Sequence, residues 1–203
     1  MIPHWILVGG ITTPQDARIA EALGADAISI VLTPGDPREV RLDVAAEIAA
    51  SVTIESVLEV KDPSAEELRA ATLTVEPTRL LMRGAPSLDE PPPLPWFRSF
   101  PCRGRAVLSD LKDHPGDRFL LEVEPRLLPG QPEWQRDRTL LREIGRMGAM
   151  VLGGVPCVDQ LPGVIEKARP WGLRLRSCVE REPGWLDHAA LEQAMITLRG
   201  HRR

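Results

Sequence analysis

Short apolar runs alternate along the chain with stretches whose apolar residues recur at helical spacing. The run Trp5 to Val8 stops at Gly9 and Gly10, and Thr13 then caps a helix that carries Pro14 at its first position. Ala17, Ile19, Ala20 and Leu23 recur at helical spacing, Gly24 ends the helix, and Ala27 to Leu32 is a second apolar run. This is one βαβ unit.

The alternation continues with a helix over 42–50, a strand over 54–60, a helix over 64–71 and a strand over 79–82. The proline-rich stretch 86–95, with Pro91, Pro92 and Pro93 in a row, interrupts it. The pattern then predicts a strand over 96–100, a weak helix over 105–112, a strand over 118–122 and a helix over 137–146. A strand over 149–152, a helix over 161–168, a strand over 173–177 and a terminal helix from Asp187 complete it. Eight nearly all-apolar strands, each separated from the next by a helix, imply a parallel sheet covered on both faces, and eight such units close into a (β/α)8 TIM barrel forming a single domain over 1–203. The alternative, an open doubly wound sheet, lacks its usual nucleotide signatures: no G-x-G-x-x-G follows the first strand and no G-x-x-x-x-G-K-[ST] occurs.

Of 203 residues, 27% are charged and 43% hydrophobic, as in an ordinary water-soluble globule. No apolar run is long enough to span a membrane, and the amino terminus lacks the basic region and long apolar core of a secretory signal, so a cytoplasmic protein is expected. Three cysteines, Cys102, Cys157 and Cys178, without a C-x-x-C pair suggest reduced thiols and no metal site. A formal net charge of −4 argues against nucleic acid as a partner. A homodimer is the default assembly for a small barrel.

In a (β/α)8 barrel the chemistry lies where the strands end, so each run's last residues are the candidates. Glu122 closes the sixth strand; a partly desolvated carboxyl there can serve as a general acid, or it can pair with Arg98 or Arg118 at the rim. Arg38, after the turn from Pro34 to Pro37, offers a planar fork for a substrate carboxylate, and Arg83 ends the fourth strand. Gly153 and Gly154 after the seventh strand occupy the usual barrel phosphate position, although a βα turn also needs glycine for positive φ. Ser177 and Cys178 end the eighth strand beside it, and a lone Cys178 reads as a small buried hydrophobe. Glu59, Lys61 and Glu124 are further strand-end groups, and Trp96, Trp134, Trp171 and Trp185 offer interface candidates.

Taken in order, these strand ends resemble those of phosphoribosylanthranilate isomerases along nearly the whole chain. V-G-G-I-T at 8–12 followed by Asp16 and Ala17 looks like the family's K-I-C-G-I-T…D-A, and L-G-A-D-A at 23–27 matches its counterpart. T-P-G-D-P-R at 33–38 resembles Y-P-x-S-P-R, and R-F-L-L-E at 118–122 resembles D-R-F-L-L-D. L-G-G at 152–154 resembles the phosphate loop L-x-G-G. S-C-V-E at 177–180, with Pro183, Gly184, Asp187 and His188, resembles S-S-G-V-E-x-x-P-G-x-K-D.

The resemblance implies an Amadori-type isomerase of tryptophan biosynthesis acting on a phosphorylated, anionic small molecule without a cofactor. Gly9 stands where the family has its general-base cysteine, and Glu122 where it has its aspartate general acid. Q-L-H-G has become Leu81 to Gly84, the glycine-rich loop after strand six has become Leu128 to Pro132, and Cys178 replaces a glycine. Two functions are therefore expected in competition. One is an acid/base enzyme with Glu122 as its proton-transfer residue, Arg38 and Arg83 holding anions, and Gly153, Gly154, Ser177 and Cys178 around the phosphate; the other is an inactive paralogue serving as a binding module.

Overall fold

A computed structural model describes residues 3–84, 91–112, 118–128 and 139–200. The strands are β1 (Trp5–Val8), β2 (Ala27–Val31), β3 (Glu55–Lys61), β4 (Arg79–Arg83), β5 (Trp96–Cys102), β6 (Arg118–Val123), β7 (Ala149–Gly153) and β8 (Gly172–Leu175). All neighbours pair in parallel, and β8 returns to β1 with Trp5 opposite Gly172 and Val8 opposite Leu175, closing the barrel. The expected (β/α)8 barrel is what the chain forms.

Among the described residues the helices are α1 (Pro14–Ala22), α2 (Leu42–Ala50), α3 (Ala65–Val75), α4 (Val107–Lys112), α5 (Leu140–Ile144), α6 (Leu161–Ala168) and α7 (His188–Gly200). Thr13 caps α1 as its sequence implied, its hydroxyl accepting from the Asp16 amide at 3.1 Å. Ser64 and Glu67 form a reciprocal capping box on α3, which runs past the expected end at Ala71 to Val75. The expected helix over 137–146 is the shorter α5; its first residues, like much of 86–95 and 128–132 and all of Trp134, lie outside the described residues. The eighth strand stops at Leu175, and Ser177–Val179 is a 3-10 turn rather than strand. A small antiparallel hairpin, β9 (Glu180–Glu182) with β10 (Trp185–Leu186), follows it. The two-residue period had no room to announce this hairpin.

Alternation along each strand divides the apolar residues into two layers. Trp5, Leu7, Ala27, Val57, Leu81, Phe97, Leu120 and Val151 fill the barrel. Ile6, Val8, Ile28, Leu58, Leu80, Leu121 and Leu152 face outward against the helices. At the amino-terminal end of the strands Arg118 lies over the rings of Trp5 and Trp171, 5.0 and 4.5 Å from their centroids, and 3.6 Å from Glu55. The floor is thus sealed by aromatic and charged side chains. Among the described residues no helix is long and apolar enough to cross a membrane.

Candidate functional site

The two-residue period that packs the barrel also builds its mouth. Two positions beyond the interior residues Leu7, Ala27, Val57, Leu81, Phe97, Leu120 and Val151 come Gly9, Ser29, Glu59, Arg83, Ser99, Glu122 and Gly153. An apolar layer is therefore overlaid by a polar one. Into this layer β8 sends Arg174, which is 2% exposed.

Arg174 fits because the strands on either side of β8 carry glycine. A Cβ placed on Gly9 would lie 3.2 Å from Arg174 Cδ, and one on Gly153 would lie 3.3 Å from Arg174 Nε and 3.0 Å from Glu122 Oε2. The guanidinium reaches across the barrel, donating through Nη2 to Glu122 and lying 3.4 Å from Glu59 through Nη1. Ser29 Oγ donates to Glu59 at 2.5 Å and accepts from the Gly10 amide at 3.2 Å. Burial works against the charge on Arg174, yet the two glutamates outweigh it and hold the guanidinium above its ordinary pKa. Glu59 is fully buried within this network, whereas the Glu122 side chain keeps 21% exposure towards the mouth.

Further out, Arg38 is held by both oxygens of Glu180, at 2.6 and 2.5 Å, and Glu180 also accepts from the Gly184 amide. Asp36 pairs with Arg83 at 3.0 Å and lies 3.8 Å from Arg38. Burial would raise the Asp36 carboxyl, but the Arg38 amide and the charges of Arg83 and Arg176 prevail and hold it below the usual range. Between these pairs lies a cavity of about 730 Å³ lined by cationic Lys61, Arg83, Arg103 and Arg176 and by anionic Asp36 and Glu122. Its size suits a small molecule and its lining favours an anion.

Among the residues singled out from sequence, Glu122 and Arg83 meet at this cavity. Arg38 lies behind its rim, 8% exposed, with its fork engaged by Glu180. Gly153 is buried beneath Glu122, and Gly154, exposed at φ +89°, approaches β6 so closely that a Cβ would lie 2.1 Å from the Val123 carbonyl oxygen. Ser177 is exposed and Cys178 buried in the turn after β8, where burial pushes the thiol up to about 11. These four border the mouth at β7 and β8 without lining the cavity. Glu124 faces Arg126 at 2.7 Å and Arg103 at 3.4 Å. Trp185 is 62% exposed on the hairpin, while Trp171 stacks on Trp5 with ring centroids 5.8 Å apart. Among the described residues no group of three or more His, Cys, Asp or Glu is placed to hold a metal ion.

The rim partners considered for Glu122 are placed elsewhere: Arg118 lies at the barrel floor and Arg98 donates to the Gly84 carbonyl at 2.6 Å. Arg174 takes that role, and sequence reasoning passed over both it and Arg176. The available signal was the alternation Leu173, Arg174, Leu175, Arg176 in a strand otherwise buried on both faces, where a charge at an inward position is costly unless it has a purpose.

No family model matches the chain. N-(5'-phosphoribosyl)anthranilate isomerase of Ralstonia pickettii is 29% identical over 208 residues, covering 90% of this chain and 87% of the relative. The crystal structure of phosphoribosyl anthranilate isomerase from Thermus thermophilus superposes with a TM-score of 0.78 at 26% identity, covering 98% of this chain and all of the other. A phosphoribosyl anthranilate isomerase solved with reduced 1-(o-carboxyphenylamino)-1-deoxyribulose 5-phosphate superposes with a TM-score of 0.81 at 19% identity, again over 98% of this chain. In sequence and in fold, along nearly its whole length, the chain is similar to the phosphoribosylanthranilate isomerases.

Proposed function

We propose that the protein is an acid/base isomerase of a small anionic, phosphorylated substrate, with phosphoribosylanthranilate the first compound to test. The observation that carries this reading is Glu122: a carboxylate at the end of β6, partly exposed to a cation-rich cavity and fixed from behind by Arg174. Fixing the carboxylate in one orientation lowers the entropy cost of a proton transfer. The homologues named for the same activity and the ligand in one solved relative support the substrate class.

Gly9 offers no side chain to take a proton, and Glu59 is enclosed by Ser29 and Arg174. Glu122 therefore serves both halves of the reaction on the ring-opened iminium form. As a carboxylate it takes the proton from the carbon beside the aminated one, leaving an enaminol; as the acid so formed it returns that proton to the aminated carbon, while the enol hydroxyl proton passes to water in the open cavity as the ketone forms. The substrate's anionic groups meet the cationic lining of the cavity, Arg83 included, and Gly154 with the Ser177 turn borders the mouth beside it.

The test is turnover of phosphoribosylanthranilate, followed by its fluorescence, in the wild type and in Glu122→Gln. Loss of one acid/base group lowers kcat by about 10²- to 10⁴-fold. Wild-type protein that neither converts nor binds the compound refutes the substrate assignment, and a fully active Glu122→Gln variant refutes the role of the carboxylate. A second reading, a binding module without chemistry, draws on the same Arg174 contact, because that ion pair also occupies the carboxylate. Tight binding without turnover would establish it.

A further inference from the structure

We propose that Arg176, with Lys61 and Thr33, forms an oxyanion receptor on the β8 side of the cavity, one that holds a carboxylate or phosphate group of the ligand. The proposal rests on the cavity being a ligand site and is independent of the chemistry assigned to Glu122.

The ion pairs of the mouth leave a remainder. Arg38 is taken by Glu180, Arg83 by Asp36, Arg103 faces Glu124, and Arg174 is shared by Glu122 and Glu59. Among the described residues Arg176 pairs only with Glu59, at 4.0 Å from Nη1, and Glu59 is already engaged by Ser29 and Arg174. Its buried Nη1 has no hydrogen-bond partner, although the side chain is only 17% exposed. Lys61, which also lines the cavity, makes no ion pair among the described residues.

Thr33, on the same wall and 7% exposed, has a buried hydroxyl with no partner either. A guanidinium, an ammonium and a hydroxyl without internal acceptors thus line one water-accessible space. Buried donors without acceptors are costly, so Arg176 and Thr33 stand to gain from a polyoxygen anion, to which the exposed Lys61 adds a second positive charge. Burial and the neighbouring Arg174 charge press the Arg176 pKa downward, as expected of a cation awaiting a counter-ion.

Inorganic phosphate and benzoate, titrated calorimetrically and by thermal shift at constant ionic strength in chloride, separate the two anion classes. The wild type should bind at least one of them. Arg176→Gln should weaken that binding at least 10-fold, Arg176→Lys should retain part of it, and Arg69→Gln, exposed on α3 away from the cavity, should stay within about twofold. Without anion, Arg176→Gln should melt at the same or a higher temperature, since an underpaired cation has been removed. Unchanged affinity in Arg176→Gln, or no binding of either anion by the wild type, overturns the proposal. Anion binding that depends on Arg176 in a protein that does not turn over phosphoribosylanthranilate leaves the receptor standing and removes the isomerase.

Discussion

Putting a cysteine back at position 9 should damage the fold rather than restore a base. A Cβ on Gly9 would lie 3.2 Å from Cδ and 3.3 Å from Cγ of Arg174, and 3.3 Å from Ser29 Oγ, before any sulfur is added. A free arginine would swing aside, but this one is tied at its far end to Glu122 and Glu59. Overpacking a tight interior costs about 1–3 kcal/mol, so Gly9→Cys should lower the unfolding free energy by that amount. Arg174→Met unties the far end, so that its γ and δ atoms can swing aside, but leaves two carboxylates facing each other, a loss of about 3–5 kcal/mol. In the double variant the steric part should vanish, giving a favourable coupling of about 1–2 kcal/mol in a double-mutant cycle. Urea unfolding followed by circular dichroism reads all four proteins. A Gly9→Cys protein as stable as the wild type, or strictly additive losses, would refute the interlock of Gly9 with Arg174.

Other outcomes follow from single features. Gly154→Ala combines positive φ with a Cβ aimed at the Val123 carbonyl, so it should cost at least about 2 kcal/mol in the same unfolding assay. The Cys178 thiol, raised by burial from 9.0 to about 11, should resist iodoacetamide at pH 8 while exposed Cys157 reacts. Because the folded pKa is the higher, the stability that a neutral Cys178 contributes is intact below pH 9 and lost as pH rises towards 11, a loss that Cys178→Ala should abolish. Asp36 has the opposite sign: its folded pKa is depressed, so its contribution holds at neutral pH and disappears as pH falls through and below about 4. Asp36→Asn should flatten that part of the acid-stability profile.

The barrel was legible in the chain because its cause is local and repeated. Eight apolar runs separated by capped helical segments can bury both faces only as a parallel sheet, and the same runs point to their own ends as the mouth. Strand ends also singled out Glu122 and Arg83, which the cavity brings together. Runs such as Leu173 to Ser177, counted among the nearly all-apolar strands, concealed the rest. The partnership of Arg174 with Glu122, 52 residues away, and with Glu59, 115 residues away, depends on barrel closure, which sets β8 between β1 and β7. Likewise, Arg38 reads from sequence as an open fork, and only the hairpin after β8 brings Glu180 to it. Sequence by itself determined the scaffold and which residues stand at its rim, since periodicity fixes the side of a strand on which a residue lies. Tertiary structure alone decided which of those charges neutralise one another, because long-range pairing is set by where distant strands meet. In that way Gly9 became, instead of a vacancy, the space through which an arginine reaches across the barrel.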